Sequence, residues 1–187
     1  TVKFIQKDDP DRPNNVILTI EINKNEKVKI ADIDFVGNVY FDDGKLKRKM
    51  KGTKEKNLNF FRSSKYIADK FIEDKDKLYT FYNDNGFKDF TILSDSLYQI
   101  SPDRVGLVIK VDEGKQYFLR NITWVGNSIY PTSLLDRALN IEKGSIYNKT
   151  LLNKRLKLEE DAVSSLYLDN GYLFSDLTPV EVNVVGD

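Results

Sequence analysis

The chain contains neither histidine nor cysteine among its 187 residues. Imidazole bases, thiolate nucleophiles and the zinc sites built from these side chains are therefore excluded. The lack of cysteine says little about compartment, because periplasmic and cytosolic chains can both lack disulfides. A carboxylate pair is not excluded in principle, but the acidic residues lie in predicted caps, turns and polar helix faces. The sequence therefore predicts no enzymatic activity and no metal or cofactor.

Net charge and long apolar runs are also missing. Lys and Arg together number 29, as do Asp and Glu, so no global field attracts polyanions and no nucleic acid partner is expected. No glycine-rich phosphate loop occurs, since Gly37 stands alone between Val36 and Asn38. No apolar run approaches the length of about 18 residues that a membrane-spanning helix needs, and the start shows no signal-peptide pattern.

An internal repeat is the most informative feature that the sequence has. Ile33–Asn38 returns as Ile122–Asn127, a shift of 89 residues, and Tyr82–Phe87 returns as Tyr167–Tyr172, a shift of 85 residues. We expect the difference to reflect a longer loop in the first copy, around residues 54–61. Self-similarity at a fixed period indicates a tandem array of structural units.

The first 22 residues predict a hairpin. An apolar run, Val2–Ile5, is followed by a cluster rich in Asp, Asn and Pro, residues 8–15. The aspartates there lack the spacing of a dedicated calcium loop, so a solvated hairpin loop is favoured. Val16–Ile22 then alternates between apolar and polar positions, which indicates a half-buried strand.

Residues 28–112 contain one complete set of elements in the order β-α-α-β-β. A strand over 28–36 ends at Gly37-Asn38, where a turn with positive φ is expected. Helix signals and strand patterns follow in order: Asp42-Asp43 opening a short helix, Ser63-Ser64 capping a long helix to about Asn83, Asn85-Gly86 ending it, and strands over Lys88–Tyr98 and Val105–Val111. The lysines of the short helix, residues 45–51, suit either a solvated helix end or a lipid-headgroup patch.

The second copy restarts at Tyr117 and repeats this order. Pro131 begins a short helix, and Asn148 caps a long helix that ends at Asn170-Gly171. Tyr172 to about Asn183 should form the second strand, and a third strand should start beyond the last residue. We therefore interpret 24–114 as a complete unit, 115–187 as a unit without its final strand, and 1–23 as the last strands of a preceding unit.

These features together resemble POTRA repeats, which form the periplasmic arm of Omp85-family proteins. The resemblance is carried by the element order, by Val-Gly-Asn at the end of the first strand, by Gly-Phe or Gly-Tyr after the long helix, and by Glu113-Gly114 before the next unit. One departure is Asn25-Glu26 at the earlier junction, although asparagine also tolerates a left-handed turn. The run from Gly86 to Asn127 is similar to the passage from the third to the fourth repeat of the bacterial outer-membrane assembly member.

The resemblance implies a fold and a role. The fold is α+β: tandem β-α-α-β-β units, each a three-stranded mixed sheet packed on two helices. The role is a scaffold on the periplasmic side of the bacterial outer membrane. The implied partners are unfolded outer-membrane proteins, periplasmic lipoproteins, neighbouring POTRA units and a C-terminal membrane barrel. Rival interpretations are a POTRA module of a two-partner secretion or divisome protein, and a ligand-binding α+β repeat.

A site prediction follows from the element order. If the third strand lies between the other two, the second strand is an open edge to which an extended client can add a strand. The predicted partner-binding residues are Lys88, Asp89, Phe90, Thr91, Ile92, Leu93, Ser94, Asp95 and Leu97, with Lys88, Asp89 and Asp95 as charged guards against unwanted pairing.

Other recurring residues are expected to serve the scaffold. The repeat-defining structural residues are Gly37, Asn38, Gly86, Gly114, Gly126, Asn127 and Gly171. Phe35 and Trp124 should face the helices of their own units. The short connection between Val111 and Tyr117 predicts a stiff junction between the units.

Overall fold

The computed structural model of the protein describes residues 2–22, 27–55 and 64–182. Two sequence predictions fall outside this range, namely the turn at Asn25-Glu26 and the capping role of Ser63. Within it lie a hairpin and two larger bodies. We call residues 27–114 the first unit and residues 115–182 the second unit.

The hairpin forms as predicted, but it is not half-buried. Strand β1 (Val2–Asp8) pairs antiparallel with β2 (Val16–Ile22), from Val2 opposite Ile22 to Asp8 opposite Val16. All residues of β2 are exposed to solvent. The reason is that no helix within the described residues packs on this two-stranded ribbon.

The first unit contains a mixed three-stranded sheet. Strands β3 (Lys29–Val36), β4 (Thr91–Ser101) and β5 (Arg104–Asp112) lie in the order β3-β5-β4. β3 runs parallel to β5, and β4 runs antiparallel to it. The prediction that the third strand of the unit is central is therefore confirmed. Its alternate residues Leu107, Ile109 and Val111 are buried.

Two helices cover one face of this sheet. Asp42 caps α1 (Asp43–Lys49) as predicted, and its carboxylate accepts a hydrogen bond from the Lys45 N–H at 2.9 Å. The longer helix is α2 (Ala68–Asp84). Together the helices and the sheet bury a core in which each large apolar side chain contributes about 1.5–3 kcal/mol; its members include Ile33, Phe35, Leu46, Met50, Phe71, Leu78, Tyr82, Leu107 and Ile109.

The start of α2 differs from the prediction. Ser64 does not cap a helix; its carbonyl accepts a hydrogen bond from the Ile30 N–H at 2.7 Å, and the Tyr66 N–H donates to the Val28 carbonyl at 3.0 Å. Residues 64–66 therefore run extended beside the start of β3. This backbone pairing across the sheet edge delays the helix until Ala68 and leaves Ile67, which was expected to face the core, largely exposed.

The predicted long helix of the second unit is broken into three pieces. After α3 (Thr132–Leu139), the chain forms α4 (Lys149–Asn153), a π-helical turn (Lys154–Leu158) and α5 (Val163–Leu168). Asn148 is the N-cap as predicted. The buried side chains still form one cluster, consisting of Leu135, Leu139, Leu156, Val163 and Tyr167.

Backbone hydrogen bonds explain the break. Leu119 donates to Ser145 at 2.8 Å and Tyr147 donates to Tyr117 at 3.0 Å, the pattern that Ile30 and Tyr66 make in the first unit. Residues 145–147 thus correspond to 64–66, a shift of 81 residues. Compared with the shifts of 89 before and 85 after, the first copy has eight extra residues ahead of the helix and the second has four extra residues within it. The π-helical turn and the break that follows accommodate those four residues.

The strands predicted for the second unit do not form among its described residues. Residues 117–125 make a single isolated bridge, Phe118 with Ile146, and 172–182 contain no strand. In the first unit both outer strands hydrogen-bond to β5, and the described part of the second unit includes no counterpart of β5. Without that central ladder the two segments have no strand partner.

The two aromatic residues of the repeated strand-end motif behave differently. Phe35 is buried in the first core as expected. Trp124 is only partly buried: its ring packs against the second cluster, while its Nε1–H donates to an Asp136 carboxylate oxygen at 2.7 Å. The indole therefore faces the helices of its unit at the cluster's margin.

Candidate protein-docking edge

One edge of the three-stranded sheet is closed by the chain itself. Three N–H groups of β3 that do not bond to β5 already have acceptors, which are the Ser64 carbonyl for Ile30 (2.7 Å), a Glu55 carboxylate oxygen for Ile33 (2.8 Å) and an Asp43 carboxylate oxygen for Phe35 (3.3 Å). Lys47 also pairs with Glu55, at 2.8 Å. A strand added at β3 would have to displace all of these groups.

The opposite edge, at β4, is open along most of its length. The Ile92 N–H donates to the Tyr79 hydroxyl at 3.2 Å, so the first part of this edge is occupied. Beyond it, no other strand among the described residues pairs with β4 on the side away from β5. Thr91 and Ile92 are half-buried, whereas residues 93–100 are all exposed. The free stretch therefore begins at Leu93.

The predicted partner-binding residues fall into two groups. Thr91, Ile92, Leu93, Ser94, Asp95 and Leu97 lie on β4. Lys88, Asp89 and Phe90 precede the strand. Phe90 is buried, and its ring stacks on Tyr82 with centroids 3.8 Å apart.

The three charged residues proposed as guards are all engaged. Lys88 pairs with Glu181 of the second unit at 2.6 Å, and Asp89 accepts a hydrogen bond from the Tyr117 hydroxyl at 2.6 Å. Asp95 pairs with Lys75 of α2 at 2.9 Å. Of the three, only Asp95 lies on the strand, so Lys88 and Asp89 belong to the contact between the units.

Sequence reasoning missed three exposed apolar side chains beside this edge. Tyr98 and Ile100 lie on the last part of β4, which extends to Ser101. Ile72 is exposed on α2, one turn before Lys75. The apolar pattern of the strand continues past Leu97 to Ile100, and that signal would have found the end of β4.

The repeated Asn of the Val-Gly-Asn motif makes the same contacts in both units. The Asn38 side-chain N–H group donates to the Phe41 carbonyl (2.9 Å) and to Asp43 (2.8 Å). Asn127 donates to the Tyr130 carbonyl (3.2 Å) and to the Thr132 hydroxyl (3.3 Å). Each Asn thus ties the end of a strand segment to the start of a helix. The repeat-defining glycines 37, 86, 114, 126 and 171 all have positive φ.

Two carboxylates are buried in the first unit, and structure accounts for both. Glu113 accepts hydrogen bonds from the Val39 N–H (2.7 Å), the Tyr40 N–H (2.9 Å) and the Tyr82 hydroxyl (2.8 Å). Burial, followed by the bond to this carboxylate, raises the pKa of Tyr82 far above its ordinary value. The second carboxylate is Asp74.

Asp74 is held by α2 and by the loop after α1. Its oxygens accept hydrogen bonds from the Gly52 N–H (2.8 Å), the Thr53 N–H (2.6 Å) and the Lys77 ammonium (2.7 Å). Burial acts to raise the pKa of Asp74, but these bonds outweigh it and hold that pKa below its ordinary value. In the described part of the chain, no group of three or more potential ligands is arranged to hold a metal ion.

Comparison with known proteins agrees with this geometry. Residues 28–114 and 117–186 match the POTRA family, described as surface antigen variable number repeat. The chain is 30% identical over 169 residues to the outer membrane protein assembly factor BamA of Neisseria meningitidis serogroup B. It is 29% identical over 117 residues to BamA of Neorickettsia risticii. These matches cover 88% and 62% of this chain but only 21% and 16% of the relatives.

A solved structure supports the fold. The crystal structure of Haemophilus influenzae BamA POTRA3-5 aligns with a TM-score of 0.51 at 15% sequence identity, covering 99% of this chain and 66% of that one. Across the described residues, no helix combines the length and the apolar character needed to cross a bilayer.

Proposed function

This chain belongs to the POTRA family, and from that premise we propose that it is part of the periplasmic arm of an outer-membrane β-barrel assembly factor. In this role it is a non-catalytic scaffold. It binds unfolded barrel proteins and accessory lipoproteins on the periplasmic side of the bacterial outer membrane. Its similarity to two BamA proteins supports this assignment over a two-partner secretion or divisome protein.

The difference between the two sheet edges is the observation that carries the proposal. The β3 edge is filled by Ser64, Glu55 and Asp43, whereas β4 is free from Leu93 onward. An extended client can add a strand there through main-chain hydrogen bonds, which place little demand on its sequence. Low sequence demand suits a receptor for many different barrel proteins.

Side chains beside the open edge favour an apolar client strand. Leu93, Leu97, Tyr98 and Ile100 are exposed on β4, and Ile72 is exposed on the neighbouring helix. Strands of membrane barrels alternate apolar and polar residues. Covering exposed apolar area contributes roughly 25 cal/mol per Å², so such a strand adds side-chain affinity to the main-chain bonds.

The same architecture supports the division of the array. We place a complete POTRA unit at 24–114 and a second at 115–187, to which a further strand belongs. Residues 1–23 are then the last two strands of a preceding unit. Val16, Leu18, Ile20 and Ile22 correspond to positions 105, 107, 109 and 111 of β5, of which the last three are buried under helices. The exposed face of β2 is thus the face that helices of that preceding unit would cover.

Hydrogen exchange tests the docking edge directly. The probe is a synthetic peptide with the alternating sequence of a barrel strand, added to the intact chain. We expect backbone amides of β4 beyond Leu93 to exchange more slowly with the peptide bound, and amides of β3 to be unaffected. Equal protection of both edges, or protection of neither, would contradict the proposal.

Proline variants provide the matched test. Position 92 is unsuitable because its N–H already bonds to Tyr79. Neighbouring residues of a strand direct their N–H groups to opposite sides, so of Ser96→Pro and Leu97→Pro one removes a bond to β5 and the other an edge amide. The variant that keeps the parent circular dichroism should lose peptide binding, while Ser96→Ala and Leu97→Ala keep the amide as controls. Parent-level binding by that variant would refute main-chain docking.

A further inference from the structure

The C-terminal end of α2 lies directly against the second unit. The last carbonyls of a helix have no partner within the helix. Here the second unit provides donors for three of them: the Asn148 side chain for Asp84 (2.9 Å), the Gln116 side chain for Asn85 (3.0 Å) and the Tyr117 N–H for Gly86 (2.8 Å). The cap of a helix in one unit is therefore built by the next.

Asn148 is used twice in this contact. Its Oδ1 accepts a hydrogen bond from the Leu151 N–H at 2.8 Å, which makes it the N-cap of α4. Its Nδ2 donates to the Asp84 carbonyl at the end of α2 at 2.9 Å. A single amide thus joins the negative end of one helix dipole to the positive end of another. Asp and Ser can cap α4, but a carboxylate has no N–H group to donate to α2.

Gly86 is the point of closest approach between the units. A Cβ on Gly86 would lie 2.8 Å from the Tyr117 carbonyl oxygen and 2.9 Å from a methyl carbon of Ile146. Gly171, its counterpart in the repeat, has nearly the same φ, 87° against 88°. A Cβ there would meet nothing within 4 Å. The backbone strain of an added side chain is therefore equal at the two positions, and only the contact with the second unit differs.

A charged cluster lies beside these contacts. The Lys88 ammonium lies 2.6 Å from a Glu181 carboxylate oxygen, and the Tyr147 hydroxyl donates to the same carboxylate. The ammonium also lies 5.4 Å from the ring centroids of Tyr117 and Tyr147. Lys88 and its partners thus add a second set of bonds across the same boundary.

We propose that Asn148, by capping helices of both units, and Gly86, by its close approach, hold the two units in one relative orientation. Gly86 precedes β4 by only a few residues, so this contact fixes the direction of that strand relative to the second unit. The inference goes beyond the proposed function, because it holds whatever β4 binds.

Asn148→Asp is the informative substitution. Aspartate caps a helix about as well as asparagine, so α4 keeps its acceptor while the donor to Asp84 is lost. The control is Asp42→Asn, which exchanges the same two side chains at the N-cap of α1, away from the boundary. Each substitution is made in the full chain, and each is read out by distance and by hydrogen exchange.

Distances across the boundary are measured by electron spin resonance. The chain has no cysteine, so Asp76→Cys and Arg137→Cys, both at exposed helical positions, introduce one spin label in each unit. We expect a single narrow distance distribution in the parent and in the Asp42→Asn control. Asn148→Asp should broaden it and should accelerate exchange of the Tyr117 amide about tenfold, the effect of one lost hydrogen bond.

Gly86→Ala and Gly171→Ala form the second matched pair. Gly86→Ala should shift or broaden the distance distribution, whereas Gly171→Ala should leave it unchanged. If Gly86→Ala prevents folding, Asn148→Asp alone decides the question. A narrow, unshifted distribution and unchanged Tyr117 exchange in Asn148→Asp would overturn the proposal, as would equal broadening in its control.

Discussion

Glu113→Ala should be among the most damaging single substitutions in the first unit. The carboxylate accepts three hydrogen bonds, two from loop N–H groups at Val39 and Tyr40 and one from the buried Tyr82 hydroxyl. Hydrogen bonds to a charged group contribute about 1.5–3 kcal/mol each. A simple sum overstates the loss, because Val39 and Tyr40 are exposed and water can reach their amides.

The Tyr82 hydroxyl has no such alternative, since its side chain is fully buried. An unsatisfied buried donor costs about 1–3 kcal/mol, and the lost side-chain packing adds to this. We therefore expect the free energy of unfolding of the first unit to fall by about 3 kcal/mol in Glu113→Ala. Glu113→Gln keeps the shape and one acceptor oxygen, so its loss should be smaller.

Urea unfolding followed by far-ultraviolet circular dichroism measures this change, because the three-stranded sheet lies in the first unit. The single tryptophan, Trp124, lies in the second unit, and its fluorescence reports that unit separately. A double-mutant cycle with Tyr82→Phe isolates the hydroxyl bond. If Glu113→Ala unfolds within about 1 kcal/mol of the parent, well under the cost of one buried unsatisfied group plus lost charged bonds, the assigned role of Glu113 is wrong.

Three further predictions concern other buried or crowded positions. Because the folded-state pKa of Asp74 is lowered, its stabilisation is complete above the ordinary value of 3.8 and is lost as pH falls through the lower folded value; Asp74→Asn should cost about 2–4 kcal/mol at neutral pH and flatten the acid limb of urea stability against pH. Arg155, only 15% exposed, bonds to the end of α3 and to two acids, so Arg155→Met should lower the unfolding midpoint reported by Trp124 fluorescence, whereas Arg137→Met should not. Gly106→Ala would place its Cβ in the Tyr98 ring, so its loss in thermal stability should be largely relieved by adding Tyr98→Ala.

Signals within a few residues determined much of this protein from its sequence. Asp42 caps α1 because an N-cap needs only a side-chain acceptor next to the first turn. Asn85-Gly86 ends α2 because glycine takes positive φ without strain. The alternation of Val105–Val111 marked a strand with one face on the core, and the repeat indicated the family. The candidate edge followed from the element order once β5 was taken to be central.

Failures of sequence reasoning share one physical cause. Ser64 carries a good capping side chain, yet its backbone bonds to Ile30 across the sheet edge. Asn148 begins a helix as its local sequence indicates, but four inserted residues must be accommodated against an existing core, and the helix breaks into pieces. In each case tertiary contacts outweighed a local preference of about 1 kcal/mol or less.

Only the tertiary structure decided which edge is open and how the units meet. Glu55 closes the β3 edge from 22 positions away in the chain, and Asn148 caps α2 from 64 positions away. Lys88 looked like a guard of β4 from its place in the sequence, but it pairs with Glu181. Periodicity and capping signals act over one or two turns of chain. A bond between distant residues exists only after the fold has brought donor and acceptor within about 3 Å.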